Sequence, residues 1–298
     1  MRKALFMVKN KKTILAYLLC GAVLLAVLGA FCMSLAIVSD YSSKLGYFER
    51  GSVKAGLLYA VLAASVVLAA GSWLLFRKTV PERSRIPTPM YTKIVSGVLI
   101  IALLWHMGTT LLSLFHAGTS SSQHYWGHPL PYWCLLLSSN IFALLFILYL
   151  ICDIAPGKAR NSSLAVCSSF FPPFYAAAQL FIIYFDENSA TNSPVKIIYQ
   201  LMYISFMLFL TATAGLSLGR KSVFCRYLFS LIFTVIIGGT VSISAILGLV
   251  TETPGYNMAP SQLACCFGMT AYALCRFLSL ALSDSVVLKS SEEVGEKV

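Results

Sequence analysis

Charged residues are scarce in this sequence. Asp, Glu, Lys and Arg together make up 11% of its 298 residues, whereas hydrophobic residues make up 58% and the mean hydropathy is +0.80. A water-soluble protein of this length cannot hide so much apolar surface in its core. The composition therefore excludes an ordinary soluble domain and places the chain in a lipid bilayer.

Acidic residues are the scarcer of the two signs, with 11 Asp and Glu against 22 Lys and Arg. None of the carboxylates lies near the middle of a long apolar run, which weakens a proton- or sodium-coupled mechanism because such mechanisms usually need an intramembrane carboxylate. The basic residues lie at the ends of the apolar runs and are not gathered in a separate domain. We therefore predict contact with membrane lipids and no nucleic-acid partner.

The motifs of the familiar enzyme classes are also missing. The sequence has no His-Glu-x-x-His, no Gly-x-Ser-x-Gly and no Walker A loop. Enzymatic activity is left uncertain, no catalytic residue is assigned and no cofactor is predicted. The 9 cysteines lie mostly inside apolar runs, so we expect no disulfide framework.

Apolar runs of about 20 residues, long enough to cross the hydrocarbon core as helices, recur about eight times. They predict an all-α fold, a polytopic helical bundle forming a single membrane domain over residues 1–298. No loop is long enough to form a soluble domain, and a short polar tail covers 284–298. The predicted spans are 13–38, 56–76, 94–115, 133–152, 164–185, 197–218, 227–250 and 262–282.

Lysine and arginine predict the orientation, because short basic loops resist translocation. Most of the 22 basic residues fall in the N-terminal tail, in the second, fourth and sixth connections and in the C-terminal tail. Both termini are therefore expected in the cytoplasm. Only four fall in the opposite connections, namely Lys44, Arg50, Lys54 and Lys196.

Small residues recur at a spacing of about four in several spans, a pattern that lets transmembrane helices approach closely. We expect these stripes to pack inside the bundle, although a dimer face is the alternative. They are Ala22, Ala26, Ala30 and Ser34 in the first span, Thr211, Gly215 and Gly219 in the sixth, and Gly238, Ser242 and Ala245 in the seventh.

The predicted outer loop "HAGTSSSQHYWGHPLPYWC", residues 116–134, is rich in histidine and aromatic residues. His124 and His128 have helical spacing, and Cys134 is near enough in sequence to add a soft metal ligand. Gly127 and Pro129 disfavour a helix there, which weakens the metal hypothesis. An aromatic belt at the membrane surface is the favoured interpretation, and a ligand entrance is a further alternative.

Pro172 and Pro173 predict a kink or break in the fifth span. The carbonyl groups that lose their partners need new ones, for which Ser168 and Ser169 are candidates. Because broken spans often mark binding sites in transporters, Pro172, Pro173 and Ser169 are predicted substrate-binding residues. A purely structural kink is the alternative.

Polar side chains within spans are costly and mark further candidates. Of these, His106, Asn140 and Arg276 are included in the predicted binding site. His106 could also be a neutral core residue, and Arg276 could extend to the membrane surface or pair with Asp153 at the end of the fourth span.

The first outer connection contains the stretch "GYFERGS", which begins at Gly46. With its eight-span hydropathy and loop pattern, the chain resembles the uncharacterised eight-span integral membrane proteins common in bacterial genomes. The resemblance implies a location in the bacterial cytoplasmic membrane. It implies no activity that can be assigned to particular residues.

Three hypotheses follow for function. The first is a protein that binds or translocates a small or lipidic solute through its helical bundle. The second is a sensor, scaffold or assembly partner that contacts another membrane protein or forms a homo-oligomer. The third is a membrane enzyme acting on a lipid-linked substrate, which requires His124, His128, His106 or Arg276 to converge on one cleft.

Overall fold

The computed structural model of the protein describes residues 2–42, 46–81, 86–119, 130–155, 162–185, 193–250, 258–282 and 288–290. The structure is almost entirely helical. Its helices are α1 (Arg2–Asp40), α2 (Val53–Phe76), α3 (Met90–Thr119), α4 (Leu130–Ile154), α5 (Ser163–Ser168), α6 (Phe171–Tyr184), α7 (Pro194–Ser217), α8 (Phe224–Val250) and α9 (Pro260–Leu282), with a 3-10 turn at Lys221–Val223. The short strands are β1 (Tyr41–Ser42), β2 (Tyr47–Phe48), β3 (Thr79–Pro81) and β4 (Leu288–Ser290).

Within the described residues, 8 helical segments are long and apolar enough to cross a bilayer, the number predicted. The chain is a multi-pass membrane protein. The spans are Lys11–Asp40, Val53–Phe76, Met90–Phe115, Cys134–Ile154, Ser163–Tyr184, Pro194–Ser217, Lys221–Val250 and Pro260–Leu282. Most begin a few residues earlier than predicted, because polar residues in the first turn of a helix reduce local hydropathy without ending the helix.

Helix α8 forms the centre of the bundle, with 83% of its most apolar stretch buried. It packs against α1, α2, α7 and α9. A ring of helices closes on one side of α8, because α9 packs on α3, α3 on α4, α4 on α6, α6 on α7, and α7 on α8. This ring encloses the polar side chains described below.

The contact between α1 and α8 depends on small residues. A Cβ atom added to Gly239 would lie 2.8 Å from the Cβ of Ala26, which is closer than two carbon atoms can pack. Polar groups of α8 add contacts to two neighbouring helices. Thr234 Oγ1 donates to the carbonyl of Ser205 on α7 at 2.8 Å, and Ser244 Oγ lies 3.2 Å from Met33 Sδ on α1. Close backbone approach and interhelical hydrogen bonds therefore stabilise the centre of the bundle.

Replacing Gly239 with leucine is expected to lower the free energy of unfolding by about 1 to 3 kcal/mol, because the larger side chain overpacks the α1–α8 contact. Thermal unfolding in a mild detergent, followed by circular dichroism, measures the effect. Gly71→Leu is the matched control, because a Cβ at Gly71 on α2 meets no atom within 4 Å. Equal destabilisation by both variants would contradict the prediction.

The small-residue stripes of the first and seventh spans pack inside the bundle as predicted. Ala22, Ala26 and Ala30 are buried, as are the members from α8. The stripe of the sixth span differs, because Thr211 and Gly219 are exposed. That part of α7 borders a groove that opens to the outside of the bundle.

The short strands join connections that are distant in sequence. Strand β3 in the α2–α3 connection pairs antiparallel with β4 after α9, with Val80 opposite Lys289. Leu288 of β4 is buried, so part of the tail predicted over 284–298 packs against the bundle. Near the other end of α2, Tyr41 OH lies 3.2 Å from Ser193 Oγ, which joins the α1–α2 connection to the start of α7. These contacts put each pair of segments at the same end of the bundle, as alternating spans require.

The fifth span is broken at the predicted prolines. Helix α5 ends at Ser168, and α6 begins at Phe171 with the prolines in its first turn. Proline is accepted in a first turn because its missing N–H has no partner there. Ser168 and Ser169 donate their hydroxyl groups to the carbonyls of Ala165 and Val166, at 3.1 and 2.6 Å.

Candidate polar pathway through the bundle

Polar side chains from α3, α4, α6 and α9 meet inside the ring of helices. We call this group the histidine cluster. It consists of His106, Thr109, Ser139, Gln179, Ser261 and Gln262.

Gln179 on α6 is the hub of the histidine cluster. Its amide nitrogen lies 2.7 Å from Ser139 Oγ and 3.2 Å from His106 Nε2, so both amide hydrogens have acceptors. Its amide oxygen accepts a hydrogen bond from Gln262 Nε2 at 3.4 Å. The side chain is 1% exposed, and these contacts compensate its burial because a buried amide is costly only when its hydrogen bonds are unmade.

Both ring nitrogens of His106 have neutral partners. Nε2 lies 3.2 Å from the amide nitrogen of Gln179, and when that amide donates to it the ring proton is on Nδ1. Nδ1 lies 3.3 Å from Ser261 Oγ, which in turn lies 2.9 Å from Thr109 Oγ1. His106 therefore lies within a chain of neutral donors and acceptors.

A tyrosine and a cysteine extend the polar contacts along α9. Gln262 Nε2 donates to Tyr203 OH at 3.4 Å, and Tyr203 OH lies 3.1 Å from Cys266 Sγ. Tyr203 of α7 and Tyr175 of α6 are fully buried. We call these buried side chains the middle layer.

A second group, the arginine cluster, lies farther along the same ring. It is built on a buried ion pair in which Arg276 Nη2 of α9 donates to Asp153 Oδ2 of α4 at 2.9 Å. The side chains of Arg276 and Asp153 are only 5% and 8% exposed. The other members are Thr88, Tyr149 and Tyr272.

Tyr272 connects the parts of the arginine cluster. Its hydroxyl donates to Asp153 Oδ2 at 3.2 Å and accepts from Arg276 Nε at 3.1 Å. Arg276 Nη1 donates to the carbonyl of Ile86 at 3.4 Å, and Thr88 Oγ1 lies 3.5 Å from Asp153 Oδ1. The cluster therefore joins α4, α9 and the α2–α3 connection.

A cavity of about 30 Å³ adjoins the ion pair. Polar groups from α7 and α8, namely Thr213, Ser217 and Tyr227, line it together with Arg276 and Asp153. The hydroxyl of Tyr227 is buried and has no hydrogen-bond partner among the described residues. The volume and the polar lining suit about two water molecules.

One face of α9 links the two clusters. Ser261, Cys265, Tyr272 and Arg276 recur at spacings that keep them on the same side of a helix, and all are buried. The distance from Ser261 to Arg276 is about 22 Å along the helix axis. The clusters and the middle layer thus form a column of polar side chains that extends across most of the bundle.

The structure brings two of the predicted binding residues into this column. His106 belongs to the histidine cluster and Arg276 to the arginine cluster. The predicted pairing of Arg276 with Asp153 is confirmed by the ion pair. Asn140 is not hydrogen-bonded to either cluster, because its side chain donates to the carbonyl of Leu136 in its own helix at 2.9 Å.

The residues of the α5–α6 break lie apart from the column. Pro172 is buried, Pro173 is half-buried and Ser169 bonds to its own helix. The lining of the cavity beside Arg276 includes Ala165 of α5 but none of these three. The break therefore changes the course of the fifth span, but its residues do not line the cavity beside Arg276.

Two of the three predicted metal ligands, His124 and His128, lie outside the described residues. Cys134, in the first turns of α4, is exposed. Over the ranges that the structure covers, no three His, Cys, Asp or Glu side chains are grouped to hold a metal ion.

Most members of the column were not selected from the sequence. Serine, tyrosine and cysteine are common in transmembrane helices, so single examples attract no attention. The signal that could have found them is the spacing along α9, where Gln262, Cys266 and Arg276 share one side of the helix. The members that were not selected include Gln179, Ser139, Tyr149, Tyr203, Ser261, Gln262 and Tyr272.

Comparison with protein-family models, with curated proteins and with solved structures finds no match for this chain. The function must therefore be inferred from the geometry of the bundle.

Proposed function

We propose that this protein is a transporter of the bacterial cytoplasmic membrane that moves a small, uncharged polar solute through the ring of helices. The observation that supports this most directly is the histidine cluster. Four helices contribute polar side chains to this cluster, and Ser139, Gln179 and Ser261 are buried in it, although apolar residues would be cheaper in a bilayer. Such convergence is typical of a substrate pathway.

The chemistry of the cluster suggests the class of solute. Ser139, Gln179 and Gln262 offer neutral hydroxyl and amide groups, and the partners of His106 in the network are neutral as well. A solute with hydroxyl or amide groups can exchange hydrogen bonds with them at little cost. The one charged pair of the column is internally neutralised, so the column offers no uncompensated charge to an ionic solute.

The arginine cluster is suited to close one end of the pathway. It holds α4, α9 and the α2–α3 connection together through one ion pair and its hydrogen bonds. By the distribution of basic residues, this is the cytoplasmic end. Separation of α4 from α9 would open it, and the α5–α6 break gives α6, which carries Gln179, a point about which to tilt.

Osmotic swelling of proteoliposomes tests the proposal. Purified protein is reconstituted, and light scattering is followed after mixing with glycerol, urea, erythritol or glucose, and separately with potassium chloride. We expect faster entry of at least one uncharged solute than in protein-free liposomes, and no faster entry of potassium chloride. Rates equal to those of protein-free liposomes for every uncharged solute would refute the proposal.

The enzyme hypothesis receives less support from the geometry. It required His124, His128, His106 or Arg276 to converge on one cleft. His106 and Arg276 belong to separate clusters about 22 Å apart along α9, and His124 and His128 lie outside the described residues. His106 Nδ1 lies 3.3 Å from Ser261 Oγ, the kind of serine–histidine contact that covalent catalysis uses, but Arg276 lies in the other cluster and cannot act at the same point.

A further inference from the structure

A groove of about 620 Å³ lies on the outside of the bundle, away from the polar column. Helices α2 and α7 both pack on α8, and the groove runs between them with α8 as its floor. Small residues leave the space, namely Ala70 on α2, Ala212 and Gly215 on α7, and Ser230 on α8. Its volume falls within the range of about 300 to 1,000 Å³ typical of ligand sites.

The sides of the groove are apolar. Trp73 of α2 and Leu208 of α7 are exposed, at 44% and 41%, and Phe229 of α8 is half-buried between them. All three line the groove. An apolar chain lying there would cover side chains that otherwise face the lipid.

Two arginines line the groove at the end of α7. Helix α7 stops at Ser217, Gly219 has φ +83°, and the chain then turns through Arg220 into α8. Arg220 and Arg226 both line the groove and are exposed. Neither guanidinium has a carboxylate partner within the part of the chain that the structure describes.

The C-terminal end of α2 is held beside the start of α8, near the two arginines. The thiol of Cys225 donates to the carbonyl of Phe76 at 3.2 Å, which holds the end of α2 against the start of α8. Arg77 follows directly as the C-cap of α2. Trp73 therefore lies about one turn from the charged end of the groove.

We propose that this groove binds one anionic phospholipid. Its phosphate is held by Arg220 and Arg226, and one acyl chain lies along Trp73, Leu208 and Phe229. Two guanidinium groups lining one groove suit a phosphate, and basic pockets between helices at the cytoplasmic side are suited to anionic headgroups. The two arginines at one end and the apolar sides along the rest of the groove match the charged headgroup and the acyl chain of a lipid. An apolar helix of a second protein would leave both guanidinium groups without an anionic partner.

Native mass spectrometry of delipidated protein in a neutral detergent tests this assignment. The protein is titrated with phosphatidylglycerol or with phosphatidylcholine of the same acyl chains. We expect tighter binding of the first phosphatidylglycerol molecule. In Arg220→Gln/Arg226→Gln this affinity should fall roughly 25-fold, since each charge near a headgroup contributes about fivefold, while phosphatidylcholine binding should not change.

The matched control is Arg50→Gln/Lys93→Gln, which removes the same charge from residues that do not line the groove. A third variant, Ala212→Phe, fills the groove and should weaken binding of both lipids. Soluble glycerol 3-phosphate tests whether the phosphate group alone is sufficient for binding. At concentrations similar to those of phosphatidylglycerol, it should not compete with the lipid for the groove. Unchanged phosphatidylglycerol affinity in the arginine variant, or an equal loss in the control, would overturn the proposal, as would a protein dimer that displaces the lipid.

Discussion

Replacing Arg276 with methionine is expected to lower the free energy of unfolding by about 3 to 5 kcal/mol. The substitution removes the guanidinium that pairs with the carboxylate of Asp153, whose side chain is 8% exposed. Tyr272 and Thr88 would still contact Asp153, but neutral hydrogen bonds do not replace the charge. Thermal unfolding in a neutral detergent, followed by circular dichroism, measures the loss.

The double variant Arg276→Met/Asp153→Leu should recover most of this stability. Replacing both members of a buried ion pair with apolar residues is often neutral, whereas removing one member is costly. The double variant also tests the proposed closure of the pathway. If the pair holds the cytoplasmic end closed, the double variant should remain folded and admit solute faster than the natural protein.

Arg226→Met is the control for the stability measurement. Arg226 is exposed, and its replacement should change the free energy of unfolding by no more than about 0.5 kcal/mol in a detergent without anionic lipid. A double variant as unstable as Arg276→Met would show that the instability does not come from an uncompensated charge on Asp153.

Replacing Gln179 with leucine is expected to reduce solute entry into proteoliposomes roughly 30- to 150-fold. The variant removes the hub of the histidine cluster and leaves His106 Nε2 and Ser139 Oγ without their partner. Two hydrogen bonds of about 1 to 1.5 kcal/mol each correspond to an effect of this size on the energy of a bound solute. The prediction rests on the proposed transport activity, and rates are normalised to the amount of folded protein.

Asn140→Leu provides a closely matched control. It also replaces a buried side-chain amide on α4 with leucine, next to Ser139. Within the described part of the chain, the Asn140 amide donates to the carbonyl of Leu136 and to neither cluster. We expect solute entry within about threefold of the natural protein, because no cluster contact is lost. Equal inhibition by both variants would assign the effect to helix packing and contradict the role given to Gln179.

The membrane spans are the part of this protein that its sequence predicts well. A helix crossing the hydrocarbon core must satisfy its own backbone hydrogen bonds and present apolar side chains, so about 20 successive residues carry the whole signal. The break at Pro172 and Pro173 is local in the same way, because proline lacks the N–H that the helix needs. Both features could be inferred without knowing which helices are neighbours.

The candidate site was predicted only in part. His106 and Arg276 could be selected because histidine and arginine are conspicuous in an apolar run, and Asp153 was close to the end of its span. Asn140 is equally conspicuous, but its amide bonds to its own helix. A polar residue in a span can satisfy itself locally or through a neighbour, and the sequence does not distinguish these cases.

By itself, the sequence determined the membrane location, the number of spans and the position of the proline break, because each depends on residues that are adjacent in the chain. The tertiary structure decided which polar side chains meet, since Gln179 touches His106 and Ser139 only when α3, α4 and α6 close the ring. It also decided that the small residues of α7 border an external groove while those of α8 are buried. The physical reason is that hydrophobic length is a property of one helix, whereas a hydrogen bond or a groove between helices depends on how each helix is rotated against its neighbours.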